Sequence, residues 1–201
     1  MKKWILRILL ILLATVAVVA LFFLGKGYFM YRDAIEETSI TEKVEEIRAK
    51  ESYTSLDNLP KLYLDAVIAV EDHRFYSHGG IDLIATGRAI LNDIRTLSFA
   101  EGGSTITQQL AKNMYFTQEK RIERKIAELF VAFDLERNYT KEEILELYVN
   151  TIYFGNGYYC IRDASEGYFQ KEPSQMTDFE STLLAGIPNA PSAYALTTNP
   201  D

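Results

Sequence analysis

Residues 4–24, WILRILLILLATVAVVALFFL, form an apolar run broken only by Arg7. At about 1.5 Å of rise per helical residue, such a run crosses a hydrocarbon layer of roughly 30 Å. A helix that is apolar on every face has no side to turn to water, which argues against a core helix of a soluble domain. Lys2, Lys3 and Arg7 stand at the front of the run, while Asp33, Glu36 and Glu37 come after it. The positive-inside rule then places the N-terminus in the cytoplasm and the chain after residue 26 outside the plasma membrane, as a single-pass protein. Arg7 is close enough to the end to snorkel. A cleaved leader with Ala17-Val-Val-Ala20 as its site is the competing reading. The run is longer than a leader's apolar region and continues past that site, so a retained anchor over residues 1–26 is expected.

The chain beyond the anchor is long enough for one domain. The 21 Lys+Arg against 28 Asp+Glu of the whole chain give a net charge of −7, which argues against broad nucleic-acid binding. The single Cys160 excludes an internal disulfide and, with only two histidines, a His/Cys zinc cage. Its thiol is expected to be buried and idle. Residues 27–55 are densely charged with few large apolar groups beyond Tyr31, and read as a solvated, partly helical stalk. Residues 56–201 then form the domain.

Its pattern is mainly helical. Pro60 opens KLYLDAVIAVED, Ile81–Ile94 is a second helix, and Ser104 or Thr105 caps a third after a glycine loop. Arg121–Arg137 carries an apolar stripe of Ile122, Ile126, Leu129 and Phe133. Lys141–Tyr148 is introduced by a Thr140/Glu143 capping box, and Thr177–Ala185 ends at Gly186 and Pro188. No segment alternates convincingly as a strand.

Four stretches carry chemistry. In the first, Glu71-Asp72 comes after Ala66-Val-Ile-Ala-Val70, so Glu71 is either a partly desolvated carboxylate suited to general-base work or an ordinary exposed acid. His73 and His78 lack a third fixed metal ligand. The second, Gly102 to Asn113, sets a glycine loop before a helix, with Ser104, Thr105 and Lys112 as added donors. That suits a phosphate or diphosphate, or simply a capped helix. The third, Lys120 to Glu128, gathers Arg121, Arg124 and Lys125 beside Glu128, as an anion site or as a solvated i,i+4 pair. The fourth, Lys141 to Asn150, reads as scaffold, with Ile144, Leu145 and Tyr148 on one face and Glu146 free to meet a cation.

In this order the four resemble the peptidoglycan glycosyltransferases, the lysozyme-like glycosyltransferase family 51. ED-x-x-F-x-x-H-x-G stands as Glu71, Asp72, Phe75, His78 and Gly80, and G-x-S-T-I-x-Q-Q-L-x-K-N as Gly102 to Asn113. R-K-x-x-E is Arg124, Lys125 and Glu128, and K-x-x-I-L-E-x-Y-L-N is Lys141 to Asn150 with Val149 for leucine. The resemblance covers about residues 56–194. It implies a mainly α, lysozyme-like domain behind one transmembrane helix.

It also implies a reaction in which a glycan chain on a polyprenyl diphosphate is transferred, with inversion, to the 4-hydroxyl of lipid II. Glu71 corresponds to the base. Lys112, Lys120 and Arg124 match the cations that neutralise the diphosphate, and Ser104, Gln109 and Asn113 are donor contacts. Glu128 matches the family's second acid, near the diphosphate or an associated divalent cation, Mg2+ or Mn2+. The segment from Leu83 to Phe99, with Leu91, Ile94, Leu97 and Phe99 beside Arg88 and Arg95, is either an interfacial helix or a packed amphipathic one.

Cys160-Ile161-Arg162-Asp163 departs from the family pattern after Gly157, and relatives continue with further helix where this sequence ends at Asp201. The domain is accordingly expected to be C-terminally short. No Ser-x-x-Lys with a later Lys-Thr-Gly is present in these residues, so a monofunctional enzyme working beside a separate transpeptidase is expected. A lysozyme-like hydrolase and a non-catalytic wall scaffold are the alternatives. The hydrolase needs a protonated acid for a sugar leaving group and has no use for the cations.

Overall fold

The computed structural model describes residues 2–96, 102–117, 119 and 121–196. Among them there is no strand, in line with the mainly α expectation. The helices are α1 (Lys2–Glu37), α2 (Ile40–Arg48), α3 (Lys61–Glu71), α4 (Leu83–Thr96), α5 (Ile106–Tyr115), α6 (Ile122–Asn138), α7 (Lys141–Val149), α8 (Ile161–Phe169), α9 (Asp178–Gly186) and a short α10 (Pro191–Tyr194). Side-chain caps set most starts. Thr105 rather than Ser104 caps α5, in a reciprocal box with Gln108. Thr140 with Glu143 and Thr177 with Glu180 do the same for α7 and α9.

The core is built around α7, whose Ile144, Leu145, Leu147, Tyr148 and Val149 are all buried. The same core takes in Leu110 and Met114 of α5, Val131 and Leu135 of α6, Tyr63 and Val67 of α3, and Leu184 of α9, with α3 packed on α9. The α6 stripe read from periodicity is not the face that enters this core. Ile122 and Phe133 are exposed, and Ala127, Glu128, Val131, Ala132 and Leu135 point inward. Close approach explains the reversal: a Cβ added to Gly80 would lie 3.1–3.2 Å from atoms of Ala132, so only small residues fit at that contact.

Residues 27–55 depart most from expectation. α1 does not end with the apolar run; its C-terminal part docks on α6. Gly27 sits at the crossing, where an added Cβ would meet Ile126 Cβ and Cγ2 at 2.5 Å. Tyr28 and Tyr31 flank the Phe130 ring at centroid distances of 5.4 and 5.3 Å. Lys26 pairs with Glu123 at 2.8 Å, and the Tyr31 hydroxyl donates to Asp134 at 2.5 Å. In α2, Val44 and Ile47 join the main core. Thr54 and Asn150 exchange two hydrogen bonds of 2.8 Å. The segment is integral to the domain, because Val44 and Ile47 enter the core and Tyr31, Ile40 and Tyr53 pack against it from a charged sequence.

Toward the N-terminus α1 is exposed from Trp4 to Leu21 and is long and apolar enough to cross a membrane. A second apolar surface lies on α4, where Leu83, Ile84 and Leu91 are exposed beside Arg88 and Arg95. Leu97 and Phe99 lie outside the described residues.

Candidate active site

α3 delivers its last residue, Glu71, to the edge of the core. Asp72, buried next to it, ties that point to the start of α5. One carboxylate oxygen accepts from the Ile106 N–H at 3.1 Å and the other faces His78 Nε2 at 2.8 Å. His78 Nδ1 in turn faces the Gly79 carbonyl at 2.5 Å. The Thr105 hydroxyl donates to the Gly80 carbonyl at 2.9 Å, closing the wrap. The first motif is thus a buckle around the α5 N-terminus that fixes Glu71 relative to α5.

Asp72, His78 and Asp82 come within 4.8 Å of one another at their ligating atoms, but this is no cation cage. Asp82 accepts the Ile84 and Ala85 N–H groups at the head of α4 and pairs with Arg74 at 3.0 Å. These donors hold its carboxyl below the usual range. His73 is exposed and takes no part.

Glu71 is half-buried. One oxygen accepts from Gln109 Nε2 at 2.7 Å, while the other, Oε1, is buried without a partner among the described residues. Burial pushes its pKa up, the Gln109 bond and the Lys112 charge pull it back, and the Asp72 charge adds to the rise. Of the two readings open for Glu71 in the sequence, the structure has the partly desolvated carboxylate.

Lys112 lies three residues beyond Gln109, on the same face of α5. Its ammonium group makes no ion pair or hydrogen bond among the described residues. Burial lowers its pKa, as do Arg124 and Lys125, while Glu128 and Glu71 raise it. It stands electrostatically between the Glu71 carboxylate and a cluster on α6.

That cluster is organised by Glu128, whose side chain is 1% exposed. It pairs with Arg124, one turn earlier, and with Lys125 Nζ at 3.0 Å. Lys125 also donates to the Ser104 hydroxyl at 2.7 Å, and Arg124 Nε to the Glu119 carbonyl. Both Glu128 oxygens face cations, so the carboxylate does not fit the role of metal ligand in this arrangement. It fits that of a buried counter-ion holding two cationic heads in place.

Glu71, Gln109, Lys112, Ser104, Arg124 and Glu128 are therefore brought into one region. Asn113, the residue after Lys112, lines a separate cleft of about 290 Å³ with Lys43, Ile47, Lys50, Thr151 and Tyr159. Lys120 lies outside the described residues. Lys125, in the sequence a member of the basic patch and not a substrate contact, holds Ser104. Two buried phenols stand behind Glu71 with no chemical signal in the sequence. Tyr148 donates to Gln109 Oε1 at 3.5 Å, and the Glu71 charge raises the pKa of both Tyr148 and Tyr63 after burial itself. The sequence shows Tyr148 only as one member of an apolar helix face. Glu146, expected beside a cation, instead accepts from the Tyr53 hydroxyl and from the Leu56 N–H at 2.9 Å.

The departure at residues 160–163 forms the head of α8. Cys160 is buried and accepts from the Asp163 N–H at 3.4 Å as the helix cap. Arg162 binds Glu166, Glu172 and the Glu51 carbonyl.

A family model described as transglycosylase matches residues 37–201. Penicillin-binding protein 1F of Bacillus subtilis is 50% identical over 147 residues, which are 73% of this chain and 21% of that protein. Penicillin-binding protein 1A of Neisseria flavescens is 42% identical over 152 residues, 76% of this chain and 19% of the relative. Penicillin-binding protein 1A/1B of Bacillus subtilis is 41% identical over 172 residues, 85% and 19% respectively. The chain spans about a fifth of the length of these curated relatives.

Proposed function

The chain belongs to the transglycosylase family, and from that premise we propose that it polymerises the glycan strands of bacterial peptidoglycan, passing a chain from polyprenyl diphosphate to the 4-hydroxyl of lipid II. One observation carries this reading. A carboxylate with a raised pKa is separated by a single lysine from a cation cluster clamped on a buried glutamate.

Glu71 removes the proton of the acceptor hydroxyl. Its Oε1 is the oxygen left for that proton, since Oε2 is held by Gln109. The freed oxygen attacks the donor anomeric carbon from the face opposite the diphosphate, and the C–O bond to the diphosphate breaks. The configuration is thereby inverted. A diphosphate departs without a strong acid once its charge is met. Lys112, with Arg124 and Lys125 aligned by Glu128, supplies that charge. Nothing in a lysozyme-like hydrolysis calls for such a cluster, because its leaving group is a sugar alkoxide needing a proton.

The anchor keeps the domain where both polyprenyl-tailed substrates lie. The cations at residues 2, 3 and 7 orient the N-terminus to the cytoplasm and the site to the outer face. The exposed Leu83, Ile84 and Leu91 of α4, with Arg88 and Arg95 beside them, supply a second contact with the bilayer surface. Cross-linking of the strands falls to a transpeptidase activity outside residues 1–201.

The test is a detergent assay of the purified chain with lipid II, resolving products by gel. Polymer is expected from the wild type. It should fall by about 10²-fold or more in Glu71→Gln, the scale of general-base catalysis. Unchanged synthesis by a folded Glu71→Gln would reject the mechanism.

A further inference from the structure

Gln109 is an amide inserted between two groups, and an amide can be inserted either way round. With Nε2–H toward Glu71 it donates to the carboxylate and favours the ionised base. Turned over, its carbonyl oxygen would face that carboxylate and favour the protonated form. Nothing in Gln109 itself chooses between the two.

The choice is made on the far side. Tyr148 is 1% exposed, and its hydroxyl has one described hydrogen bond, to Gln109 Oε1. At 3.5 Å this bond is long, as catalytic-site hydrogen bonds often are before substrate arrives. Were the amide reversed, the Tyr148 oxygen would accept from Nε2–H, and its own buried O–H would lose the one acceptor it has among the described residues. The groups facing Glu71 are Tyr63 and Asp72 from its own segment, Gln109 and Lys112 from α5, and Tyr148 from α7. Of these groups, Tyr148 is the one with a hydrogen bond to the carbonyl end of the amide among the described residues.

We propose that Tyr148 is a positioning residue for the transfer reaction: its hydroxyl, donating to Gln109 Oε1, keeps the amide N–H toward Glu71 and so keeps the base ionised and ready. The proposal rests on the reading of Glu71 as the general base. It assigns the hydroxyl of an otherwise apolar helix face to the chemistry, acting through Gln109 and not on substrate.

The experiment is the pH dependence of kcat/KM for glycan synthesis in the full-length wild type, Tyr148→Phe, Gln109→Met and the double variant. Removing the hydroxyl should shift the acidic limb to higher pH by about half to one unit. On the limb itself that is a roughly three- to tenfold loss, with the high-pH plateau kept within about twofold. Gln109→Met should shift the limb at least as far, and Tyr148→Phe should add nothing to it. A limb that does not move, an equal loss at every pH, or shifts that add in the double variant would overturn the proposal.

Replacing Tyr148 by 3-fluorotyrosine, which keeps the hydroxyl and strengthens it as a donor, should move the limb the other way. A stationary limb there counts equally against the proposal and does not depend on Tyr148→Phe folding. Glu71→Gln in the same assay separates the two readings. If it remains active, the base assignment fails; if it is inactive while the Tyr148→Phe limb is unmoved, only the role of Tyr148 fails.

Discussion

The crossing of α1 over α6 can be tested with two glycines of one helix. Gly25 and Gly27 both lie inside α1, but a Cβ at Gly25 meets nothing within 4 Å, whereas one at Gly27 meets Ile126 at 2.5 Å. Alanine in place of either glycine gains about 1 kcal/mol of helix propensity. At Gly27 this gain is opposed by overpacking, which typically costs about 1–3 kcal/mol. The propensity gain cancels when the variants are compared, so Gly27→Ala should be less stable than Gly25→Ala by about 1–3 kcal/mol. At about 2–4 °C per kcal/mol for a domain of this size, the melting temperatures should differ by roughly 2–12 °C. Near-UV circular dichroism in detergent reads the tertiary packing of the domain and reports the midpoint. Ile126→Gly should remove the penalty, giving the pair a favourable coupling in a double-mutant cycle. If Gly27→Ala is as stable as Gly25→Ala, α1 does not press on α6, and residues 27–37 are the free stalk that their charge suggests.

Two further outcomes concern the site and its surroundings. Glu128→Gln leaves Arg124 and Lys125 without their buried counter-charge, so stability should fall by about 3–5 kcal/mol and synthesis by at least tenfold; thermal unfolding and the lipid II assay check both, and a variant as stable as wild type would show that Glu128 does not organise the cluster. Glu180 is pulled down to about 2 by the Lys171 ion pair, with the Thr177 cap adding to it, so its contribution is present above the ordinary glutamate range and lost as pH falls from about 4.5 toward 2; Glu180→Gln should flatten that part of the stability–pH curve, and an unaltered slope would refute the linkage.

The sequence is a faithful guide where the physics is local. The Thr140/Glu143 box and the Thr177 start depend on near neighbours in the chain. It misleads where distant segments meet. Ala127 and Ala132 face the core because Gly80 and α5 approach closely, which helical periodicity cannot show, since it ranks residues by hydrophobicity and not by available space. Val44 and Ile47 are hidden in a charged stretch because two apolar side chains per short helix suffice when a core is waiting for them. Lys125 meets Ser104 across 21 positions, and Tyr148 meets Gln109 across 39. Neither pairing leaves a trace in spacing.

With α1 as the proposed anchor, its unbroken run from Lys2 to Glu37 changes how the bilayer would enter the kinetics of the proposed transfer. A domain on a leash samples many heights, and its rate averages over them. Here the spanning helix and the docked helix are one rod, so the elevation of Glu71 above the lipid surface is a fixed molecular dimension. Tilting of that rod to match a thinner or thicker hydrocarbon layer must rotate the whole domain with it. Acyl-chain length then becomes a control on turnover even when every protein–substrate contact is unchanged, and reconstitution into lipids of graded thickness should reveal an optimum where micelles would show none.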